Sequence, residues 1–138
     1  MKKYLIDTNI AIRILTNDPP ELVAQLEGLL EKVDNREISF FVPSIVIAEV
    51  CWILQSVYSF SKKEIGQALL EFVSSEGVEV EEKFVLQALE SFYKNNVDFI
   101  DAYLSLKANQ NETSIITWNK KDFKKLECEF YSPSEITK

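Results

Sequence analysis

Histidine is absent from the 138 residues, which excludes serine–histidine triads, histidine zinc sites and imidazole acid–base catalysis. Any chemistry must therefore rest on carboxylates. The informative ones stand where apolar runs break. Asp7 closes the run YLI in YLIDTNI, and Glu49 is the single charge in IVIAEVCWIL, residues 45–54. Asp98 and Asp101 lie three apart in DFIDAYLSLKA, and Asn119 and Asp122 lie three apart in TWNKKDF.

Each position has a local explanation and a functional one. Asp7 can cap the helix that follows, but Thr8 and Asn9 could do the same, and its place at the end of a buried strand favours function. For Glu49 the local explanation is weakest. On a helix it shares its face with Ile45, Trp52 and Ile53, and no lysine or arginine lies within a turn. A lone carboxylate among apolar groups costs several kcal/mol unless it is paired or coordinates a cation. That leaves a distant partner or a metal, and the metal is the stronger reading. Asp98 and Asp101 read as a capping pair, complete for Asp98, while the i, i+3 spacing puts Asp101 on the same helix face and leaves it able to act as a ligand. Asn119 can cap a short helix with Asp122 in its first turn, an explanation as good as a functional one. Lys120, Lys121, Lys124 and Lys125 read as a solvated face; beside a carboxylate cleft, Lys120 and Lys121 would also contact phosphates.

These positions need a scaffold. KKYLI reads as a short buried strand ending at Asp7, followed by a helix from Asn9 to about Leu15. A helix begins at Pro19–Pro20 with apolar residues at helical spacing. ISFFV (38–42) and VEV (78–80) read as strands, as does SIIT (114–117), with EFYS as an edge strand. Helices are expected from Ser44 to about Tyr58, from Ser61 through Phe72, over 82–95, from Asp98 onward, and over 119–126. Strands alternating with helices imply right-handed crossovers and a mostly parallel sheet covered on both faces, a three-layer α/β/α sandwich of Rossmann-like type. In such sheets functional groups collect beyond the carboxyl ends of strands, where Asp7, Asn119 and Asp122 fall.

The length fits one domain with a sizeable core, and no repeat or interdomain linker interrupts it. A hydrophobic content of 46% marks a folded chain. Two cysteines make no disulfide framework; Cys51 reads as a small buried hydrophobe, and a reducing cytoplasm is the expected compartment. No secretory signal and no membrane-length apolar run is visible. The net charge of −7 argues against a simple electrostatic nucleic-acid binder.

Taken in order, YLIDTNI, VPSIVIAEV, DFIDAYLSLKA and SIITWNKKDF resemble the PIN-domain nucleases, and among them the VapC-type toxin ribonucleases, over nearly the whole chain. The resemblance implies an endoribonuclease whose acidic residues bind Mg²⁺ or Mn²⁺. By position it implies Asp7, Glu49 and Asp101 as ligands. The fourth acidic position is here Asn119, a departure that Asp122 one turn later would compensate; Thr8, Asn9, Asp98 and Thr117 fall in secondary positions. Oxygen ligands suit a hard cation, and the cation inverts the charge of an acidic cleft, making an RNA substrate compatible with the negative balance. A homodimer and a small antitoxin are the protein partners implied. The rivals are a PIN fold that has lost catalysis and serves as an RNA-binding or scaffold module, and, less favoured, an aspartyl-phosphate phosphatase or receiver domain. DTN lacks the second aspartate the phosphatase needs, and ISFFV ends in Pro-Ser rather than the receiver's acceptor aspartate.

Overall fold

The computed structural model describes residues 1–138 as two compact units, Met1–Lys83 and Phe84–Lys138. In the first unit, β1 (Lys2–Leu5), β2 (Ile38–Val42) and β3 (Val78–Val80) form a sheet of order β1-β2-β3, all parallel. Parallel pairing requires crossovers, and helices supply them: α1 (Thr8–Thr16) and α2 (Pro20–Asp34) between β1 and β2, α3 (Ser44–Ser56) and α4 (Lys62–Val73) between β2 and β3. Tyr4 lies in register with Phe40, and Phe40 with Val78.

The central strand carries the core. ISFFV is buried at four of its five positions, the pattern of a strand covered on both faces. Ala11 and Ile12 of α1, Val46, Ile47, Val50, Cys51 and Leu54 of α3, and Ile65 and Leu69 of α4 are buried with it. Cys51 is thus the buried hydrophobe expected, and both cysteines are free thiols. β1 departs from expectation. All four of its residues are exposed, Leu5 at 63%, because β1 is an edge strand paired to β2 alone; burial begins only at Ile6.

Local signals account for most boundaries. Ser61 and Glu64 make a reciprocal capping box at the start of α4. Pro19 and Pro20 open α2 as sequence suggests. Gly77, with φ +87°, makes the turn into β3; a Cβ there would stand 2.8 Å from Val33 Cγ1, so only glycine fits. The N-terminus of α3 has no cap from its own neighbours. Instead, Glu81 accepts from the Ser44 backbone N–H at 3.1 Å, and Ser44 Oγ donates to Glu82 at 2.6 Å, placing carboxylates at the positive helix end.

In the second unit, α5 (Val85–Lys94) and α6 (Phe99–Gln110) pack through an aromatic cluster. Phe92 meets Phe99 edge-on at 6.4 Å, and Tyr103 lies 5.3 Å from Phe84 and 6.3 Å from Phe99 between ring centroids. β4 (Ile115–Ile116) and β5 (Phe130–Tyr131) form a parallel pair, so the strands fall in two sheets rather than one. Between them α7 (Lys120–Phe123) is half the length expected for 119–126, and α5 starts at Val85 rather than 82. A last helix, α8 (Pro133–Thr137), was not foreseen, although its SPSE opening is a capping-box pattern, with Glu135 Oε1 accepting from Ser132 N–H at 3.0 Å.

Candidate metal centre

Asp7 sits where β1 hands over to α1, and it is the helix cap. Its Oδ1 accepts from the Ile10 backbone N–H at 3.0 Å. The cap uses one carboxylate oxygen; with two oxygens and about four lone-pair sites, the group keeps acceptor capacity. The buried strand that favoured function over capping is an exposed one, so that support for Asp7 falls away.

Glu49 also needs correction. It does share a face of α3 with Ile45 and Trp52, but the face is solvent-exposed: Ile45 is 78% and Trp52 65% exposed, and Glu49 is exposed with them. The helix buries its opposite face, Val46, Ile47, Val50, Cys51 and Leu54. Water solvates Glu49, and desolvation alone does not demand a cation. What marks the residue is its surroundings. It lines a cavity of about 370 Å³ with Thr8, Asn9, Ile12, Arg13, Ile53, Val57 and Tyr58. Thr8 and Asn9 thus come together with Glu49, and Arg13 and Tyr58 are polar members that sequence reasoning missed. The one available signal was Arg13 itself, the sole charge in the apolar helix IAIRILT.

The second unit gathers a tighter group. Asn119 donates through Nδ2 to Asp101 Oδ2 and to Asp122 Oδ2, each at 3.1 Å. Its Oδ1 accepts from the Asp122 backbone N–H at 3.3 Å, so it also caps α7. Thr117 Oγ1 accepts from the Asn119 N–H at 2.9 Å and holds the turn in place. Two half-buried carboxylates therefore converge on one neutral donor. Asp98 stands at the cap position of α6, but its side chain makes no capping bond; the capping role expected for it is not filled.

The lysines divide. Lys120 pairs with Glu135 at 2.5 Å, and this contact, followed by the bonds from Ser132, holds the Glu135 carboxyl down at about 2. The pair lies at the surface, where water screens it. Lys121 is exposed. Lys125 reaches Asp122 at 3.9 Å and the Asn96 carbonyl at 3.4 Å.

Neither unit alone groups three carboxylates for a metal ion. The donor chemistry nonetheless suits one. Asp101 and Asp122 present hard anionic oxygens, the type Mg²⁺ and Mn²⁺ prefer, toward a point now taken by an exposed, rotatable amide.

Parallel strands with helical crossovers, an acid capping the first helix and paired acids beside β4 define a class of protein, and the chain belongs to it: the model of the PIN domain family matches residues 4–127. The α/β fold, with its parallel strands and eight helices, is the three-layer α/β/α class expected. The chain is similar to the VapC ribonuclease of Aquifex aeolicus (strain VF5), 26% identical over 132 residues that cover 95% of this chain and 97% of the relative. No helix is long and apolar enough to cross a membrane.

Proposed function

We propose that this chain is a single-domain, Mg²⁺- or Mn²⁺-dependent endoribonuclease and the toxin half of a toxin–antitoxin pair. On this reading it acts in the cytoplasm as a homodimer, with a small antitoxin as its second protein partner. The carrying observation is the convergence of Asp101 and Asp122 on the Asn119 amide in a chain of the PIN family. Similarity to a protein described as a VapC ribonuclease supports RNA as substrate.

The proposed ligands are Asp7, Glu49, Asp101 and Asp122. When bound, the ion supplies a Lewis acid that makes water more acidic and offsets charge on the phosphodiester. Asp101 and Asp122 would hold it once Asn119 gives way, and Thr117 positions Asn119 through its backbone. Asp7 would offer the oxygen its cap leaves over. Solvent-reached Glu49 would bind the ion or orient water, and Lys120 and Lys121 would contact phosphate.

Cleavage of a mixed RNA pool with and without Mn²⁺, followed by end mapping, tests the activity. Metal binding is tested by thermal stability, because a ligand that prefers the native state raises it. Asp7→Asn and Asp101→Asn should each lose that gain; an unchanged metal-induced shift in either removes that residue from the ligand set.

A second reading is favoured by one observation: the residue between Asp101 and Asp122 is the neutral Asn119 rather than a further carboxylate, in keeping with a PIN fold that binds RNA without cutting it. RNA binding that persists without divalent affinity would establish this reading.

A further inference from the structure

Arg13 makes two protein contacts, both through Nη1, to the Asp18 carbonyl at 3.3 Å and to the Tyr58 hydroxyl at 3.0 Å. Its Nε is buried without a hydrogen-bond partner, and no ion pair of the chain includes it, although Glu49 lines the same cavity. The two contacts fix the plane of the guanidinium and leave Nη2 without a protein partner. Nη2 is a charged donor with two N–H groups, and such a donor suits the oxygens of an anion.

We propose that Arg13, oriented by Tyr58, anchors a backbone phosphate of the RNA strand in the cavity lined by Thr8, Asn9 and Glu49. The inference rests on the ribonuclease reading and adds the residue that grips the strand. A nucleic-acid phosphate fits better than a carboxylate of a protein partner because exposed rings stand next to two residues that line the cavity, Glu49 and Tyr58. Trp52 shares the Glu49 face, and Phe60, also exposed, stacks on Tyr58 at 5.9 Å with an interplanar angle of 9°. Flat rings beside a cation are what single-stranded nucleic acid uses for base stacking and phosphate contact.

The test is binding of a labelled single-stranded RNA pool of random sequence, in EDTA so that no strand is cut, across a KCl titration. Arg13→Gln should weaken binding roughly tenfold, the loss expected for hydrogen bonds to a charged group. It should also flatten the slope of log affinity against log salt by about 0.7, the share of one phosphate contact on a single strand. Arg13→Lys should restore the slope but only part of the affinity, since a compact ammonium replaces the planar group that Tyr58 orients. Tyr58→Phe should weaken binding with the slope unchanged. A merely structural arginine would lower thermal stability and leave the slope alone. Should Arg13→Gln fail to fold, phenylglyoxal labelling of the wild type decides: RNA should shield Arg13 and not Arg36, the other arginine, which pairs with Glu76. A wild-type slope in folded Arg13→Gln, or equal labelling of Arg13 with and without RNA, overturns the anchor. If the wild type still cleaves RNA with Mg²⁺, only the anchor is lost; if it neither cleaves nor binds, the ribonuclease reading falls with it.

Discussion

Replacing Asn119 by aspartate should have opposite effects with and without a divalent ion. The native amide donates to Asp101 and Asp122 at 3.1 Å each, acting as a neutral bridge between two like charges. In Asn119→Asp both donors disappear and a third carboxylate enters. Hydrogen bonds to charged groups are worth about 1.5–3 kcal/mol each when desolvated. Here Asn119 is exposed and the acids are half-buried, so solvent screening reduces the combined loss to about 1–2 kcal/mol. For a chain of this size that is a fall of about 3–10 °C in Tm. Asn119→Ala loses the same bonds without the added charge and should fall less. With Mg²⁺ the order reverses, because each added carboxylate strengthens a hard-cation site. A free concentration one hundred times Kd stabilises by about 2.7 kcal/mol, more than the initial loss. Thermal melts in EDTA and across a Mg²⁺ titration, with calorimetric Kd values, check both halves. An Asn119→Asp protein as stable as wild type in EDTA would refute the bridging role. An unchanged Kd would mean that position 119 holds no ligand.

Other substitutions probe separate elements. Ser61→Ala removes half of the α4 capping box and should cost about 1 kcal/mol; in the same variant the Glu64 carboxyl, held below its usual range by Ser61, should titrate higher by NMR, and a fixed titration would deny the contact. Glu135 has its folded pKa pulled to about 2, below the ordinary 4.5, with Lys120 the leading cause. Its contribution is therefore present above the ordinary value and is lost as pH falls from about 4.5 toward 2; Lys120→Ala should move the titration upward, and no movement would refute the pairing. Gly77→Ala forces a positive φ and a 2.8 Å approach to Val33, so urea denaturation should show a loss of about 1–3 kcal/mol, and a loss indistinguishable from zero would mean that the turn relaxes freely.

The fold was readable where local chemistry and the tertiary outcome agree. ISFFV has the composition of a strand covered on both faces and is one. Ser61 and Glu64 announce their helix, and Asp7 caps α1 as its spacing allows. What failed depended on neighbours distant in sequence. KKYLI has strand composition, but whether a strand is an edge or a centre depends on its partners, and β1 has one. Glu49 looked desolvated because its sequence neighbours are apolar, whereas Ile45 and Trp52 are themselves at the surface. The Ser44 contacts to Glu81 and Glu82 close a loop of nearly forty residues that no local motif encodes. Within the candidate centre, Asp101, Asn119 and Asp122 were legible from spacing, since i, i+3 pairs share a helix face. The bridge from Asn119 back to Asp101 was not, because it joins two separate helices. Arg13 was passed over because a single charge on an apolar helix acquires meaning only from what surrounds it.

The two tryptophans give each unit its own optical reporter. Trp52 lies three residues from Glu49 on the exposed face of α3, and Trp118, 85% exposed, immediately precedes Asn119. Indole emission follows the polarity and charge of its surroundings, so Trp52→Phe leaves a protein whose fluorescence comes from the neighbourhood of Asp101 and Asp122 alone. Trp118→Phe leaves one that reports the exposed face of α3 beside Glu49. A divalent ion and an RNA strand, added separately, would then be distinguished by which indole responds, without any label and before a single bond is cut.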